Sequence, residues 1–365
     1  MKKNPFKFGS IVEEPYFTNR TEEVKKVKSI LRSDNNLIII SPRRFGKTSL
    51  IMKVLKEMER PFIFLDLQLI TNREDFAAQI LKRVYRVYHF EKIKRLVTNF
   101  RIIPNIAFNP LNNEVEISFR GEAAGRLPVE DVFNLLEKVS DKKEKLIVVL
   151  DEFQEIKNIG KELDSQLRSI IQHHKNISYV FLGSQESLMK DIFEKKKSPF
   201  YHFGYMLQLD KIPEKEFMKY LIDGLRRVEE NPLETAKGIV EITKLHPYYT
   251  QQLAFTVWEI LKVGDKINDP VGEAVNEIIH HHDMDYERLW NRINRTDKKI
   301  LIGLALSEAA PLSAEFSKKY FPSAMSTVFS GLKRLAGEGM VIKTERGYEI
   351  DDPFFKRWIE KRRGV

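Results

Sequence analysis

The chain has 365 residues, which is long for one compact core and predicts two or three domains. It contains no cysteine, which excludes disulfides and thiolate metal sites, and no stretch approaches the roughly 18 apolar residues of a membrane helix, so we expect a cytoplasmic protein without a membrane partner. The net charge of +9 is compatible with an acidic partner such as nucleic acid, although many lysine-rich proteins show this balance without one.

The first predicted helix opens within residues 16–24 and runs to about Leu31. Thr18 or Asn19 is a suitable N-cap. Two acidic residues, Glu22 and Glu23, follow in the first turn, where the helix dipole favours negative charge. A polar turn then leads into the next strand.

Residues 37–50 combine an apolar strand, a tight loop and the first turn of a helix. The loop ends in Gly46-Lys47-Thr48, as the Walker A pattern requires, but Ser41 stands where that pattern has its first glycine. A small residue still permits the turn. The pattern predicts a P-loop, in which backbone N–H groups and a helix N-terminus surround a triphosphate. The alternative is an ordinary strand-to-helix turn that uses Gly46 only for its backbone freedom.

Strands and helices continue to alternate, with one interruption. The predicted elements are a strand over 61–67, a helix capped by Thr71 or Asn72 that reaches at least Tyr88, and a helix from beyond Pro128 through Lys138. Between them, residues 99–128 break the rhythm. Val115, Ile117 and Phe119 alternate with polar residues, which predicts a half-exposed strand. We therefore expect a small hairpin inserted into the main sheet, with its turn at residues 112–113.

Residues 145–152 form an apolar strand that ends in two carboxylates, the Walker B arrangement. An all-apolar strand predicts a parallel sheet covered on both faces, and such sheets bind ligands beyond the carboxyl ends of their strands. Asp151 is predicted to hold Mg²⁺, mostly through water, and Glu152 to orient and deprotonate the attacking water. The alternative is a surface acidic pair at the end of a strand.

The next strand, over 177–182, follows a helix over 163–173 and is expected to lie beside the P-loop strand. Its end carries Ser184, predicted to sense a γ-phosphate and position water, with Gln185 as the alternate. The competing interpretation is a helix N-cap, since Ser184 and Gln185 precede the helix over 188–193, and the two interpretations are compatible.

The second half of the chain predicts helices and then a winged helix. A charged linker around residues 195–199 precedes a run of helices from Pro213 to about Asp285, in which Pro247 suits a first helical turn. The last segment predicts helices over 300–306, 313–320 and 323–338, then strands over 341–343 and 348–350 around a turn at 345–347. Three helices and a hairpin make a winged helix.

With these pieces in place, the chain resembles the archaeal-type ATPase family, a group of AAA+-related STAND P-loop ATPases. The matching residues are Phe17-Thr18-Asn19-Arg20 with Glu23, Ser41-Pro42-Arg43-Arg44-Phe45-Gly46-Lys47-Thr48-Ser49, Leu150-Asp151-Glu152-Phe153, Gly183-Ser184, His246-Pro247-Tyr248, and Asp352-Pro353-Phe354-Phe355 before Trp358. The resemblance covers nearly the whole chain. It implies an α/β fold: a P-loop ATPase core over 1–205 containing the hairpin of 99–128, a helical lid over 206–290 and a winged-helix domain over 291–365.

The resemblance also implies where ATP or ADP and Mg²⁺ bind, with the nucleotide held between core and lid. Phe17 to Arg20 would lie near the adenine, and His246 and Pro247 would reach the nucleotide from the lid. The full predicted nucleotide set is Phe17, Arg20, Ser41, Pro42, Arg43, Phe45, Gly46, Lys47, Thr48, Ser49, His246 and Pro247. Within the loop, Arg43 and Arg44 are interpreted as signature side chains that face a lid or a neighbouring chain.

Two positions depart from the family pattern, and one segment lacks a residue that the pattern often has. Ser41 replaces glycine, and Leu245 replaces the glycine that often precedes the His-Pro pair. Relatives often carry arginine in the segment aligned with residues 199–204, where this chain has none, so an arginine finger from this segment is not expected. Arg168 is a weak substitute.

The leading hypothesis is a Mg²⁺-dependent, ATP-hydrolysing molecular switch. Lys47 would neutralise phosphate charge, Thr48 and Asp151 would hold Mg²⁺, and Glu152 would activate water, with Ser184 as a further catalytic residue. Lid closure through His246 would report the nucleotide state to the winged helix and to an unidentified protein partner or a second copy of the chain.

The alternative hypothesis is an ATP-regulated protein that binds double-stranded DNA through its winged helix. The candidate recognition helix, residues 323–338, offers Lys333 and Arg334 but few other cations. A DNA reader normally shows a denser basic face.

Overall fold

The structure is a computed structural model of the chain. It describes residues 3–18, 20–101, 103–109, 114–119, 127–140, 142, 145–263, 267–307, 311–313, 316, 325–344 and 347–363. The chain divides into two compact units. We call them the sheet unit, Arg20–Pro42 with Lys47–Asp210, and the helical unit, Met1–Asn19 with Arg43–Gly46 and Lys211–Val365.

A parallel sheet of five strands is the centre of the sheet unit. The strands of this unit are β1 (Leu37–Ile40), β2 (Phe62–Asp66), β3 (Asn105–Asn109), β4 (Glu114–Ser118), β5 (Leu146–Asp151), β6 (Ile177–Gly183) and β7 (Tyr205–Gln208). The order in the main sheet is β2-β5-β6-β1-β7. Every residue of β1, β5 and β6 is buried, as their apolar sequences predict. Strand β6 pairs with β1, which confirms that prediction and brings the carboxyl ends of β1, β5 and β6 to one edge.

Helices accompany the strands of the sheet unit. They are α1 (Thr21–Arg32), α2 (Lys47–Met58), α3 (Arg73–Val87), α4 (Phe90–Val97), α5 (Leu127–Val139), α6 (Ile156–Ile159), α7 (Leu163–Ile171) and α8 (Glu186–Phe193). The predicted cap of α1 is wrong: the N-cap is Arg20, which has φ 58° and makes no side-chain cap bond. Arg20 instead pairs with Glu23 at 2.8 Å. Of the two predicted caps, Asn19 lies outside the described residues.

The predicted hairpin exists, as antiparallel β3 and β4, but it forms a separate sheet. The prediction that it is inserted into the main sheet is therefore wrong. Val115 on β4 is buried and belongs to the same apolar cluster as Phe76 of α3, so the hairpin gains its stability by packing on that helix. Its predicted turn at residues 112–113 lies outside the described residues.

Helices dominate the helical unit. They are α9 (Glu214–Leu225), α10 (Leu233–Thr243), α11 (Pro247–Lys262), α12 (Pro270–Arg292), α13 (Arg295–Leu306), α14 (Met325–Gly337) and α15 (Pro353–Arg363), with a hairpin of β8 (Val341–Thr344) and β9 (Gly347–Ile350). Pro247 begins α11, as predicted. The predicted helix over 313–320 lies largely outside the described residues, and α15 has no counterpart among the predicted elements. None of the described helices has the length and apolarity needed to cross a membrane.

One apolar cluster runs through the helical unit from its first residues to its last helix. It includes Phe6, Trp258, Trp290 and Trp358, each at most 6% exposed. The N-terminal arm joins this cluster: the Phe6 ring lies 5.6 Å from that of Tyr220, whose hydroxyl donates to the carbonyl of Pro5. The division into three domains stays a prediction.

Candidate functional site

The loop after β1 accommodates serine where the Walker A pattern has glycine. Ser41 is buried, its N–H donates to the carbonyl of Gly183 at 3.3 Å, and its φ is not positive. Serine therefore fits without backbone strain. Positive φ occurs further along, at Arg44 (65°) and Gly46 (89°). Such residues form the concave nest of N–H groups that binds anions.

Lys47, the first residue of α2, is held inside this loop. It is 5% exposed, and its ammonium donates to the backbone carbonyls of Ser41 at 3.2 Å and Pro42 at 3.3 Å. A buried ammonium gains far more from a charged phosphate than from neutral carbonyls. The loop thus holds a cation where a P-loop binds phosphate.

Thr48 and Asp151 face each other across the ends of α2 and β5. The Thr48 hydroxyl donates to Asp151 Oδ2 at 2.9 Å, and the N–H of Glu152 donates to Oδ1 at 2.9 Å. Burial raises the pKa of Asp151, while the Thr48 hydrogen bond and the charge of Lys47 oppose that shift. A hydroxyl and a carboxylate are hard oxygen donors of the kind that Mg²⁺ prefers.

Glu152 is held in a conformation that few residues adopt. Its φ of 50° lies in the left-handed region, which costs a non-glycine residue about 1 kcal/mol or more. The Ser184 hydroxyl donates to Glu152 Oε2 at 2.6 Å, and the amide of Gln154 donates to the same oxygen. Backbone strain and two donors together fix the direction of this carboxylate.

Ser184 is not a helix cap, which corrects the competing interpretation of this residue. Helix α8 begins at Glu186, and its N-cap position is Gln185, whose side chain makes no cap bond. Ser184 is 9% exposed and directs its hydroxyl to Glu152. Ser184, at the end of β6, therefore hydrogen-bonds the Glu152 carboxylate and does not cap α8.

His246 is buried at the start of α11 in the helical unit. Its Nδ1 accepts from the N–H of Tyr249, and its ring lies 4.8 Å from that of Phe45. Its Nε2 lies 3.4 Å from Asp351 Oδ1. The preceding Leu245 has φ 62°, a left-handed conformation that glycine adopts without strain.

Arg44, at the loop tip that groups with the helical unit, has specific partners. Its guanidinium donates to the hydroxyl of Tyr249 at 3.0 Å and lies over the ring of Tyr248 at 4.6 Å. Both tyrosines fall in the segment that the sequence predicts as a lid. Arg43 and Arg44 are both exposed.

The other predicted nucleotide residues are spread over both units. Arg20 is buried against Glu23, Ser49 and Pro42 are half-buried in the sheet unit, and Phe17 is half-buried in the helical unit. Their predicted roles at the nucleotide stay predictions.

Arg168, the weak substitute for an arginine finger, is packed within the sheet unit. Its guanidinium lies 4.3 Å from the ring centre of Phe203, and Nη1 donates to Gln172 at 2.9 Å. Burial lowers the pKa of Arg168. The Arg168 guanidinium thus interacts with neighbours inside the sheet unit.

Two protein-family models match the chain. Residues 17–253 match the model of the ATPase domain found predominantly in Archaea, which is well over half of the chain. The chain belongs to this family. Residues 284–361 of this archaeal-type ATPase match a second model, described as a "probable winged helix domain". The predicted family and fold class are confirmed. Among curated proteins, none matches the chain.

Solved structures share the fold of this archaeal-type ATPase at low identity. A Walker-type ATPase of Pyrococcus abyssi is 19% identical with a TM-score of 0.69, and the match covers 97% of this chain and 99% of that one. The ORC2 protein of Aeropyrum pernix, solved as ADPNP–ADP complexes, is 17% identical with a TM-score of 0.55 over 97% and 96%. The ORC1 protein of the same organism, solved with DNA, is 14% identical with a TM-score of 0.51 over 96% and 95%.

The structure adds residues that the sequence interpretation missed. Gln154 is 3% exposed and supports Glu152, and its place two residues after the acidic pair was the available signal. Tyr249 and Asp352 lie more than 200 positions after Arg44 of the loop, so no spacing rule in the sequence connects them to it. Asp352 belongs to the terminal motif of the family resemblance, and that motif does not indicate its partners.

Proposed function

We propose that this archaeal-type ATPase hydrolyses ATP with Mg²⁺ and uses the nucleotide state as a conformational switch. One observation carries the proposal: a buried lysine, a hydroxyl–carboxylate pair and a strained, doubly supported glutamate stand together at the carboxyl edge of one parallel sheet. Positioned charges of this kind provide most of the catalysis in phosphoryl transfer.

The residues present fit a magnesium ion. Thr48 and Asp151 offer two oxygen donors 2.9 Å apart, and Mg²⁺ in nucleotide sites is held by one or two protein oxygens together with water and substrate phosphates. When bound, the ion would supply positive charge that stabilises the negative charge of the phosphates. Lys47 adds a second positive charge from the loop side.

Glu152 is the group that we assign to the attacking water. Its carboxylate accepts a proton from that water as the oxygen attacks the γ-phosphorus and the bond to the β–γ bridging oxygen breaks. Ser184 and Gln154 keep the carboxylate oriented. We assign to Ser184 a positioning role through Glu152, beside the γ-phosphate role that the sequence predicts for it.

The switch function, its STAND and AAA+ character and the protein partner are the finer parts of this proposal. His246 supports them, because it joins Phe45 of the loop tip to Asp351 beside the winged-helix strands. The proposal also includes a nucleotide-dependent contact with a second copy of the chain. That copy would supply the arginine finger, because Arg168, the substitute within this chain, is packed against Phe203.

Removing magnesium tests the metal part of the proposal. Excess EDTA should reduce phosphate release from ATP to background, and added Mg²⁺ should restore it. Asp151→Asn should raise the Mg²⁺ concentration for half-maximal rate about tenfold or more, because it weakens an oxygen ligand. The measurement is phosphate release over a Mg²⁺ titration.

Asp66→Asn is the matched control for that titration. Asp66 ends the neighbouring strand in register with Asp151 but accepts from the N–H of Gln68. It should leave the Mg²⁺ dependence unchanged. Release that survives EDTA, or an equal effect of both variants, contradicts the assignment.

Duplex DNA is the alternative partner, and charge pairing argues against it. On α14, Arg334 donates to both oxygens of the buried Asp297, at 2.7 and 2.6 Å. On α15, Arg362 pairs with Asp283 and Arg363 with Glu287. These pairs neutralise cations that a DNA reader leaves available. The DNA-bound neighbour shares only the fold at 14% identity, so we do not assign DNA binding to this chain.

A further inference from the structure

The contacts of Arg44 single it out from the rest of the loop tip. Its backbone is in the left-handed region at φ 65°, an uncommon conformation for arginine that requires compensating contacts. Those contacts are the Tyr249 hydroxyl at 3.0 Å and the faces of the Tyr248 and Tyr249 rings at 4.6 and 5.8 Å. The guanidinium is thus held on a specific aromatic pair.

Asp352 lies at the start of α15, two residues before Phe354, whose ring meets that of Tyr249 edge-to-face at 5.8 Å. It caps that helix, accepting from the N–H groups of Phe354 at 2.8 Å and Phe355 at 3.1 Å. It also accepts from the Tyr286 hydroxyl at 3.0 Å. Burial raises the pKa of Asp352, and these hydrogen bonds and the nearby charge of Arg44 lower it. Tyr249 therefore contacts both Arg44 and the first turn of α15, beside Asp352.

Trp358 packs against Tyr286, the residue whose hydroxyl donates to Asp352. The Tyr286 ring is 5.2 Å from that of Phe355 and 6.1 Å from that of Trp358. The Trp358 ring stacks on Phe355 at 5.8 Å. All three tryptophans of the chain, Trp258, Trp290 and Trp358, are buried in the helical unit. Intrinsic tryptophan fluorescence therefore reports on that unit alone.

We propose that Arg44, Tyr249 and Asp352 form a coupling element that transmits the nucleotide state of the phosphate loop to the start of α15. The proposal rests on the proposed function and extends it, because it assigns the transmission to named residues. Arg44 is a positioning residue in this account. It senses the rearrangement of the loop tip on nucleotide binding and shifts its charge relative to Asp352, which changes the helix cap and the packing of Trp358.

Two alternative roles for Arg44 lead to different results. If Arg44 is a direct phosphate ligand, its removal abolishes nucleotide binding. If it is a purely structural contact, its removal lowers stability and leaves the fluorescence response unchanged. A demonstrated energetic coupling between Arg44 and Asp352 is the physical evidence that distinguishes transmission from proximity.

The experiment measures ADP binding and tryptophan emission separately. Equilibrium dialysis with labelled ADP and Mg²⁺ gives affinity, and emission is recorded with Mg²⁺ and ADP or a non-hydrolysable ATP analogue. The variants are Arg44→Gln, Arg44→Lys, Asp352→Asn, and the double variant of Arg44→Gln with Asp352→Asn. Arg288→Gln is the matched control, since Arg288 is 70% exposed on α12 and pairs only loosely with Asp285 at 3.6 Å.

The expected result is a loss of transmission with binding retained. Arg44→Gln and Asp352→Asn should bind ADP with an affinity within about fivefold of wild type, the lower end of typical allosteric effects on affinity. Both variants should lose roughly half or more of the emission change. The double variant should lose no more than either single variant. Arg44→Lys should restore part of the change, because a cation over the Tyr248 ring remains. Arg288→Gln should behave as wild type.

Three results overturn the proposal. They are a full emission change in Arg44→Gln, a loss of ADP binding beyond about tenfold in that variant, which would make Arg44 a phosphate ligand, and wild-type protein that binds ADP without any emission change. Absence of ADP binding by wild type overturns the proposed function as well, and dialysis detects that case directly.

Discussion

Replacing Lys47 by Ala is expected to weaken MgATP binding by about a hundredfold or more. Truncating one partner of a buried charge pair costs about 2–5 kcal/mol, and each 1.4 kcal/mol is a factor of ten in Kd. Lys47 is 5% exposed, so its charge acts on the phosphates with little screening by water. Equilibrium dialysis with labelled nucleotide measures the effect.

Lys53→Ala is the matched control, because Lys53 lies on the same helix. Its ammonium pairs with Glu57 at 3.1 Å, one turn further along. That variant should bind MgATP as wild type does. Thermal unfolding of both variants shows whether either change disturbs the fold. Normal binding by a folded Lys47→Ala protein contradicts the placement of the phosphates in this loop.

Replacing Glu152 by Gln is expected to lower the rate of ATP hydrolysis by about 10²- to 10⁴-fold, the usual contribution of a positioned general base. MgATP binding should be unchanged, because the amide has the same shape and its oxygen still accepts from Ser184. The measurement pairs phosphate release with dialysis. A rate loss without an affinity loss is the signature of a group that acts in the transition state.

Glu155→Gln controls for the charge change in this segment. Glu155 lies three residues on and accepts from the side chain of Asn158 at 2.7 Å. It should hydrolyse ATP at the wild-type rate. Wild-type turnover by Glu152→Gln removes Glu152 from the role assigned here.

The parts of the site that are local in sequence were predictable. Lys47 and Thr48 follow β1 after one short loop, and Asp151 and Glu152 close an apolar strand, so two short patterns contain the chemistry. The edge at which they meet follows from the parallel order of buried strands.

The parts that depend on backbone conformation or on distant contacts were not predictable. Arg20 occupies the N-cap position of α1 in a left-handed conformation that no propensity indicates. Tyr249 lies 205 positions from Arg44, so only the folded chain brings them together. The hairpin was predicted from its alternation, but alternation does not specify which surface covers its apolar face.

The two departures from the family pattern illustrate the same limit. Ser41 needs no glycine conformation, so its substitution is harmless to the loop. Leu245 does adopt φ 62°, so the chain tolerates strain where relatives often have glycine. In the sequence both positions are replacements of glycine, and only the backbone conformation shows that Leu245 has a positive φ while Ser41 does not.

A single-turnover experiment tests the central claim most directly. Protein in excess over γ-labelled ATP and Mg²⁺ is sampled over time, and the bound nucleotide and released phosphate are separated. We predict that wild type converts its bound ATP to ADP and phosphate, while Glu152→Gln retains intact ATP. Bound ATP that persists in wild type, or that is converted equally fast by Glu152→Gln, would contradict the account.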